Sequence, residues 1–167
     1  MVEVKIRELL EEDIEPCVEM TITSYPWTAF GLKAESAKKF FYDRMNKNSV
    51  FIAELKNEVV GFIAIKRDIL FANYIRRIVI REDMRGKKIG AKLMKFIEDL
   101  TVEEGLPNVF LITTTDNDQA VAFYKGIGYE IIGRIPNFIR KGMDEYILWK
   151  SKGSINDFNA YDWLPQP

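Results

Sequence analysis

The chain has 167 residues, 47% of them hydrophobic and 29% charged, with a formal net charge of −1, the balance of one globular domain rather than of a disordered or broadly nucleic-acid-binding chain. Histidine is absent and cysteine occurs once, at Cys17, which excludes a Ser/His/Asp triad, a Cys/His dyad, a histidine-bound zinc and an internal disulfide. Proton chemistry falls to Tyr, Asp, Glu, Lys or water; no segment reaches a membrane span, and the opening MVEVKIREL lacks a signal peptide's apolar stretch, so a cytoplasmic protein is expected.

Residues 4–8 alternate as a strand does, and Asp13 then opens a helical pattern with Ile14, Cys17, Val18, Thr21 and Tyr25 on one face and Pro16 in the first turn. Residues 25–31, rich in aromatics and proline without a period, read as an ordered loop, and a second helix follows over about residues 34–45. Two β-rich runs, 49–55 and 59–65, flank Lys56, Asn57 and Glu58 as a hairpin. A third strand covers about 72–80.

After the segment IVIREDMRGKKIGAKL, residues 78–93, a helix carries Ile89, Leu93, Ile97 and Leu100 on one face until Gly105 and Pro107 stop it. Residues 109–114 read as a strand buried on both faces, Asp116 or Asp118 as the cap of a short helix over 119–125, and residues 129–135 and 143–149 as two last strands. No repeat, low-complexity tract or linker interrupts residues 1–150, which form one domain. Residues 151–167 lose the periodicity but keep Phe158, Tyr161 and Trp163, an aromatic tail expected to pack on the domain or on a partner subunit.

The strand, glycine loop and helix of residues 78–93 are the strongest chemical signal. The first amides of a helix have no partner within it and attract anions, and Gly86 and Gly90 remove side chains that would block close approach. Hydrogen bonds to a charged group contribute about 1.5–3 kcal/mol each, against about 0.3–1 kcal/mol for an exposed-charge or dipole contribution, so the backbone should outweigh Lys87 and Lys88. The Walker pattern fails because Gly90 is followed by Ala91 and Lys92, and the dinucleotide pattern fails because its three glycines are missing.

The segment from Arg85 to Gly90 resembles the acyl-CoA motif of the GNAT superfamily, the Gcn5-related N-acetyltransferases, with Lys88 in place of the motif's first glycine. That replacement suits a position already in helical dihedrals. A second stretch, Asn117 through Phe123, Tyr124, Gly126, Gly128 and Tyr129, resembles the family's later signature.

The resemblance covers residues 3–150 and implies a mixed α/β (α+β) GNAT fold: a twisted, mostly antiparallel mixed sheet, splayed at the acyl-CoA site, with helices on both faces. It implies acetyl-CoA as co-substrate, held by Ile78, Val79 and Ile80 on a bulged strand, by Arg85, Gly86, Lys87, Lys88, Ile89, Gly90 and Ala91, and by Asn117 and Tyr124. Tyr124 would protonate the departing thiolate. The acceptor is a small-molecule or peptide amine, with Trp27 and Phe30 on its side of the site. No metal, nucleic acid or membrane is called for, and a homodimer is among the arrangements allowed.

Relatives place a carboxylate on the strand where this chain has Arg76 and Arg77, which could instead recognise a substrate carboxylate. Substitute bases are Glu82, Asp83, Asp144 and Glu145, and Arg76 and Glu145 join the acceptor-side candidates. Without a base, the alternative is a non-catalytic acyl-CoA-binding or regulatory module of the same fold.

Overall fold

A computed structural model describes residues 3–158. Seven strands follow the order β1-β2-β3-β4-β5-β7-β6 in one sheet. The pairs β1–β2, β2–β3, β5–β7 and β6–β7 are antiparallel and β4–β5 is parallel. The chain divides into two compact units, residues 1–65 with 77–94 and residues 66–76 with 95–167.

In the first unit, β1 (Lys5–Glu8) pairs with β2 (Val50–Leu55), and β2 with β3 (Glu58–Ile69). The β2–β3 turn is Lys56 and Asn57, both left-handed, the two-residue geometry that matches strand twist. Val50, Ile52, Phe62 and Ala64 then share one face and bury against α1 (Ile14–Ile22) and α3 (Ala34–Tyr42), with Phe41 edge-on to Phe62 at 5.0 Å. Asp13 anchors the start of α1 by accepting two bonds from Arg7, at 2.7 and 2.9 Å, and one from the Leu10 amide.

Two expectations need correction. Tyr25 lies beyond the end of α1 and is 44% exposed, because the helix closes at Thr23. Residues 27–30 form a short helix, α2 (Trp27–Phe30), where a loop was expected; its amides bond back to Ser24 and Pro26, and left-handed Gly31 ends it.

In the second unit, the first residues of β4 (Ala72–Ile80) pair with β5 (Asn108–Thr114), from Ala72↔Asn108 to Ile75↔Leu111. β5 pairs along its whole length with β7 (Met143–Ser151), which carries β6 (Glu130–Arg140) on its other edge. The turn into β4 is left-handed Leu70 and Phe71, without a glycine or asparagine to announce it.

Cross-strand partners share a sheet face. One face carries Asn73, Ile75, Val109, Leu111, Leu148 and Lys150, and α4 (Ile89–Glu103) covers it: Asn73 donates to Thr101 at 2.9 Å and Lys150 to Glu98 at 2.8 Å. Tyr129 also donates to Glu98, at 3.2 Å. The opposite face holds Tyr74, Phe110 and Trp149 stacked in a row at 4.9 and 5.8 Å, followed by Ile112 with Ile147 and Thr114 with Glu145.

Beyond β7, the described part of the expected tail forms one 3-10 turn at Ile155–Asp157, capped by Ser154, with Phe158 half-buried. Tyr161 and Trp163 lie outside the described residues. No helix among the described residues is long and apolar enough to cross a membrane.

Candidate active site

The loop belongs to the first unit. β4 ends at Ile78, Val79 and Ile80, with Val79 buried. Gly61 on β3 lies so close to this stretch that a Cβ there would come within 2.9 Å of the Val79 carbonyl oxygen and 2.7 Å of Ile80 Cδ1. A 3-10 turn at Glu82–Met84 follows, and Arg85 folds back, its guanidinium donating to the Ile80 carbonyl at 3.2 Å and to Ser24 Oγ at 3.3 Å.

Gly86 is left-handed at φ +74°, and the open space around it shows that conformation, not crowding, selects glycine. Lys88 departs from expectation: its φ is +62° and α4 begins only at Ile89, so it lacks helical dihedrals. A left-handed residue bearing a Cβ costs roughly 1–2 kcal/mol. This is the position where the resembled motif has glycine, for a reason the backbone makes plain.

Within the loop and first turn, the amides of residues 86–91 take no backbone acceptor among the described residues, and the first amide to close the helix is that of Lys92, on Lys88. Gly86, Lys87, Lys88, Ile89, Gly90 and Ala91 therefore present consecutive donors around a helix start, an anion-binding arrangement. Lys87 turns its ammonium toward Met84 Sδ at 3.3 Å.

Trp27 and Phe30, also in this unit, are half-buried on α2. Trp27 packs on the apolar core and lies 5.9 Å from the Arg77 guanidinium, which sits 3.7 Å above Phe40. Arg77 is thus a buried cation on aromatic rings, not a surface receptor.

The remaining candidates lie in the second unit. α5 (Asp118–Gly126) is capped by Asn117, whose Oδ1 accepts from the Ala120 amide at 3.2 Å; neither Asp116 nor Asp118 caps it as expected, because Asn117 occupies the N-cap. Tyr124 is buried edge-on between Phe123 at 5.1 Å and Tyr129 at 6.0 Å, and burial, then the nearby Tyr74, pushes its phenol up so that it stays protonated at neutral pH.

The four substitute carboxylates separate cleanly. Asp83 is held ionised by Arg81 at 2.7 Å, and Asp144 by the Asn137 amide at 2.9 Å and Arg134 at 2.8 Å, both well inside the acidic range. Glu82 is exposed. Glu145 is 2% exposed, and burial, reinforced by the charge of Asp116, pushes its carboxyl up to about 7. Arg76 is exposed two residues beyond Tyr74 on the same strand face.

The donor-rich helix start in the first unit and the capped helix with its buried tyrosine in the second are the two stretches that carry the sequence resemblance. The model of the family described as Acetyltransferase (GNAT) matches residues 8–129. The chain belongs to this family. It is 30% identical over 97 residues to N-alpha-acetyltransferase 30 of Dictyostelium discoideum, a match covering 56% of this chain and 52% of that protein. A Mycobacterium leprae protein, uncharacterised, is 25% identical over 151 residues, 86% of this chain and 39% of its own. The chain thus spans about half the length, or less, of these curated relatives. Among solved structures, Ard1 from Thermoplasma volcanium superposes with a TM-score of 0.77 at 26% identity, over 90% of this chain and 99% of that one.

Sequence reading missed Tyr74, Thr114 and Asp116. Tyr74 had a weak signal, its place two residues before Arg76 on the same face of the expected strand. The surroundings of Glu145 had none, since they depend on which residue of β5 faces which residue of β7.

Proposed function

We propose that this GNAT protein is an N-acetyltransferase that moves an acetyl group from acetyl-CoA to a primary amine by direct attack. The observation that carries the reading is the run of unpaired amides at residues 86–91, which suits a pyrophosphate bound chiefly by backbone, each such bond contributing about 1.5–3 kcal/mol. Arg85 steadies the turn, the backbone of Ile78, Val79 and Ile80 pairs with the pantetheine amides, and the Ile80 amide polarises the thioester carbonyl. Asn117 contacts the pantetheine arm.

Tyr124 is the general acid. Burial keeps its phenol protonated, and the same burial raises the proton affinity of a thiolate formed beside it. Trp27, Phe30, Arg76 and Glu145 serve the acceptor. The N-alpha-acetyltransferase relative makes a peptide α-amine the first acceptor to try, ahead of polyamines and amino acids. An α-amine, with a pKa near 8, is also easier to neutralise than a lysine-type amine near 10.4.

The test incubates the protein with acetyl-CoA and a panel of free-amine peptides, polyamines and amino acids while thiol release is followed, with products identified by mass spectrometry. Release with at least one amine, and an acetylated product, is expected. Tight CoA binding with no release for any amine would replace this reading by the non-catalytic acyl-CoA-binding module.

A further inference from the structure

We propose that Glu145 is the general base of the transfer, its carboxylate accepting the proton that an incoming acceptor ammonium must lose before it can attack. The proposal rests on the amine-acetylation reading above and names the residue which that reading lacks.

Three observations carry it. Glu145 projects from β7 on the face opposite α4, in register with Thr114 of β5, a pairing in which Cβ atoms stand about 4.5–5.5 Å apart. Its Oε1 is buried and has no hydrogen-bond partner among the described residues, and the same is true of Thr114 Oγ1. Two adjacent polar atoms, both desolvated and both unsatisfied, are costly in a structural role, and a substrate would satisfy them. Finally, Tyr74 of β4 stands on the same sheet face as Glu145 and close to both Glu145 and Tyr124.

The groups facing Glu145 explain its readiness to take a proton. Tyr74 and Arg76 approach from β4, Thr114 from β5, Asp116 from the turn after β5, and the apolar Ile135 from β6. On its own strand, Asp144 is committed to Arg134 and the Asn137 amide. No cation is bonded to Glu145 among the described residues, so it is a basic carboxylate with a midpoint at about 7, near the optimum for a base acting at neutral pH.

The step balances. The ammonium gives one proton to Glu145, the neutral amine attacks the thioester carbon, the C–N bond forms and the C–S bond breaks. Tyr124 protonates the departing sulfur, the second proton shed by nitrogen returns to Tyr124 through solvent, and Glu145 releases its proton to solvent. Net, one ammonium and one acetyl-CoA give one amide, one CoA thiol and one proton.

With the amine that supports thiol release, Glu145→Gln should lower kcat about 100-fold at neutral pH, leave the dissociation constant for acetyl-CoA unchanged, and abolish an acidic limb whose wild-type midpoint lies near 7. The deficit should close as the pH passes the amine's own pKa, because the amine then arrives neutral; Glu145→Asp should recover part of the rate. A loss of equal size at every pH would mark a structural role, and an unchanged kcat and profile would overturn the proposal while leaving the acetyltransferase reading intact. If no amine turns over, that reading fails instead. The carboxyl is still testable by 13C NMR of glutamate-labelled protein, where the resonance missing in Glu145→Gln should titrate near 7. A midpoint in the ordinary carboxylate range overturns the proposal.

Discussion

The two compact units hold their candidate residues in opposite ways. In the first, the donors of residues 86–91 are consecutive, and one strand end, one turn and one helix start fix their geometry. In the second, Tyr74, Thr114, Tyr124 and Glu145 come from four elements and share an environment only through strand register and helix capping. The difference teaches that a backbone site is written as a local motif, whereas a desolvated side-chain site is assembled, and its chemistry depends on neighbours that are distant in sequence.

Substitutions can break or sharpen this contrast. The largest effect is expected for Tyr124→Phe, which keeps the ring packing against Phe123 and Tyr129 but removes the proton: kcat should fall about 100-fold or more, a far larger change than that in acetyl-CoA affinity. Wild-type rates across pH, with chemistry shown to be rate-limiting, would remove Tyr124 from the mechanism.

Glu98→Ala should be the most destabilising. It strips the buried carboxylate from Lys150 and Tyr129, and because Lys150 keeps some solvent access the loss should be about 2–3 kcal/mol, below the range for a fully buried pair. Urea unfolding measures it, and a change below that of an ordinary surface substitution would show the network to be dispensable.

Glu145→Gln should separate function from stability. Folding raises this carboxyl from an ordinary 4.5 to about 7, so the group favours the folded state below 4.5 and loses that contribution as the pH rises through 7. The variant should therefore match the wild type near pH 4.5 and exceed it by about 1–2 kcal/mol at pH 8, after allowance for screening. Thermal unfolding at the two pH values reads the gap; an equal difference at both would mean that the carboxyl does not titrate in this window.

The smallest effect belongs to the loop. Lys88→Gly should stabilise the fold by at most about 1 kcal/mol, since relief of the left-handed strain is partly offset by glycine's greater freedom when unfolded. Lost stability would show that Lys88 is held there by interactions stronger than its backbone cost.

Much of the architecture was legible along the chain. Strand β4 was bounded at about 72–80 ahead of the loop that follows, and the β2–β3 hairpin by the polar break Lys56, Asn57 and Glu58, of which Glu58 already belongs to β3. The short helix at 27–30 was not legible, because four residues are too few for a period, nor was the Leu70–Phe71 turn, whose residues are poor turn formers. At the candidate site, the loop and Tyr124 were visible as motifs, but the helical dihedrals that would have suited Lys88 are not the ones it adopts, and Asn117 was not recognised as the cap.

The sequence by itself determined the absence of histidine chemistry, the donor-rich start of α4 and its family resemblance, because these depend on composition and on neighbours a few positions apart. Only the tertiary structure distinguished Glu145 from Glu82, Asp83 and Asp144. Four carboxylates look alike in a sequence; burial, and the lack of a bonded cation among the described residues, set one of them apart as the proposed base, and both follow from the strands and turns that fold around it.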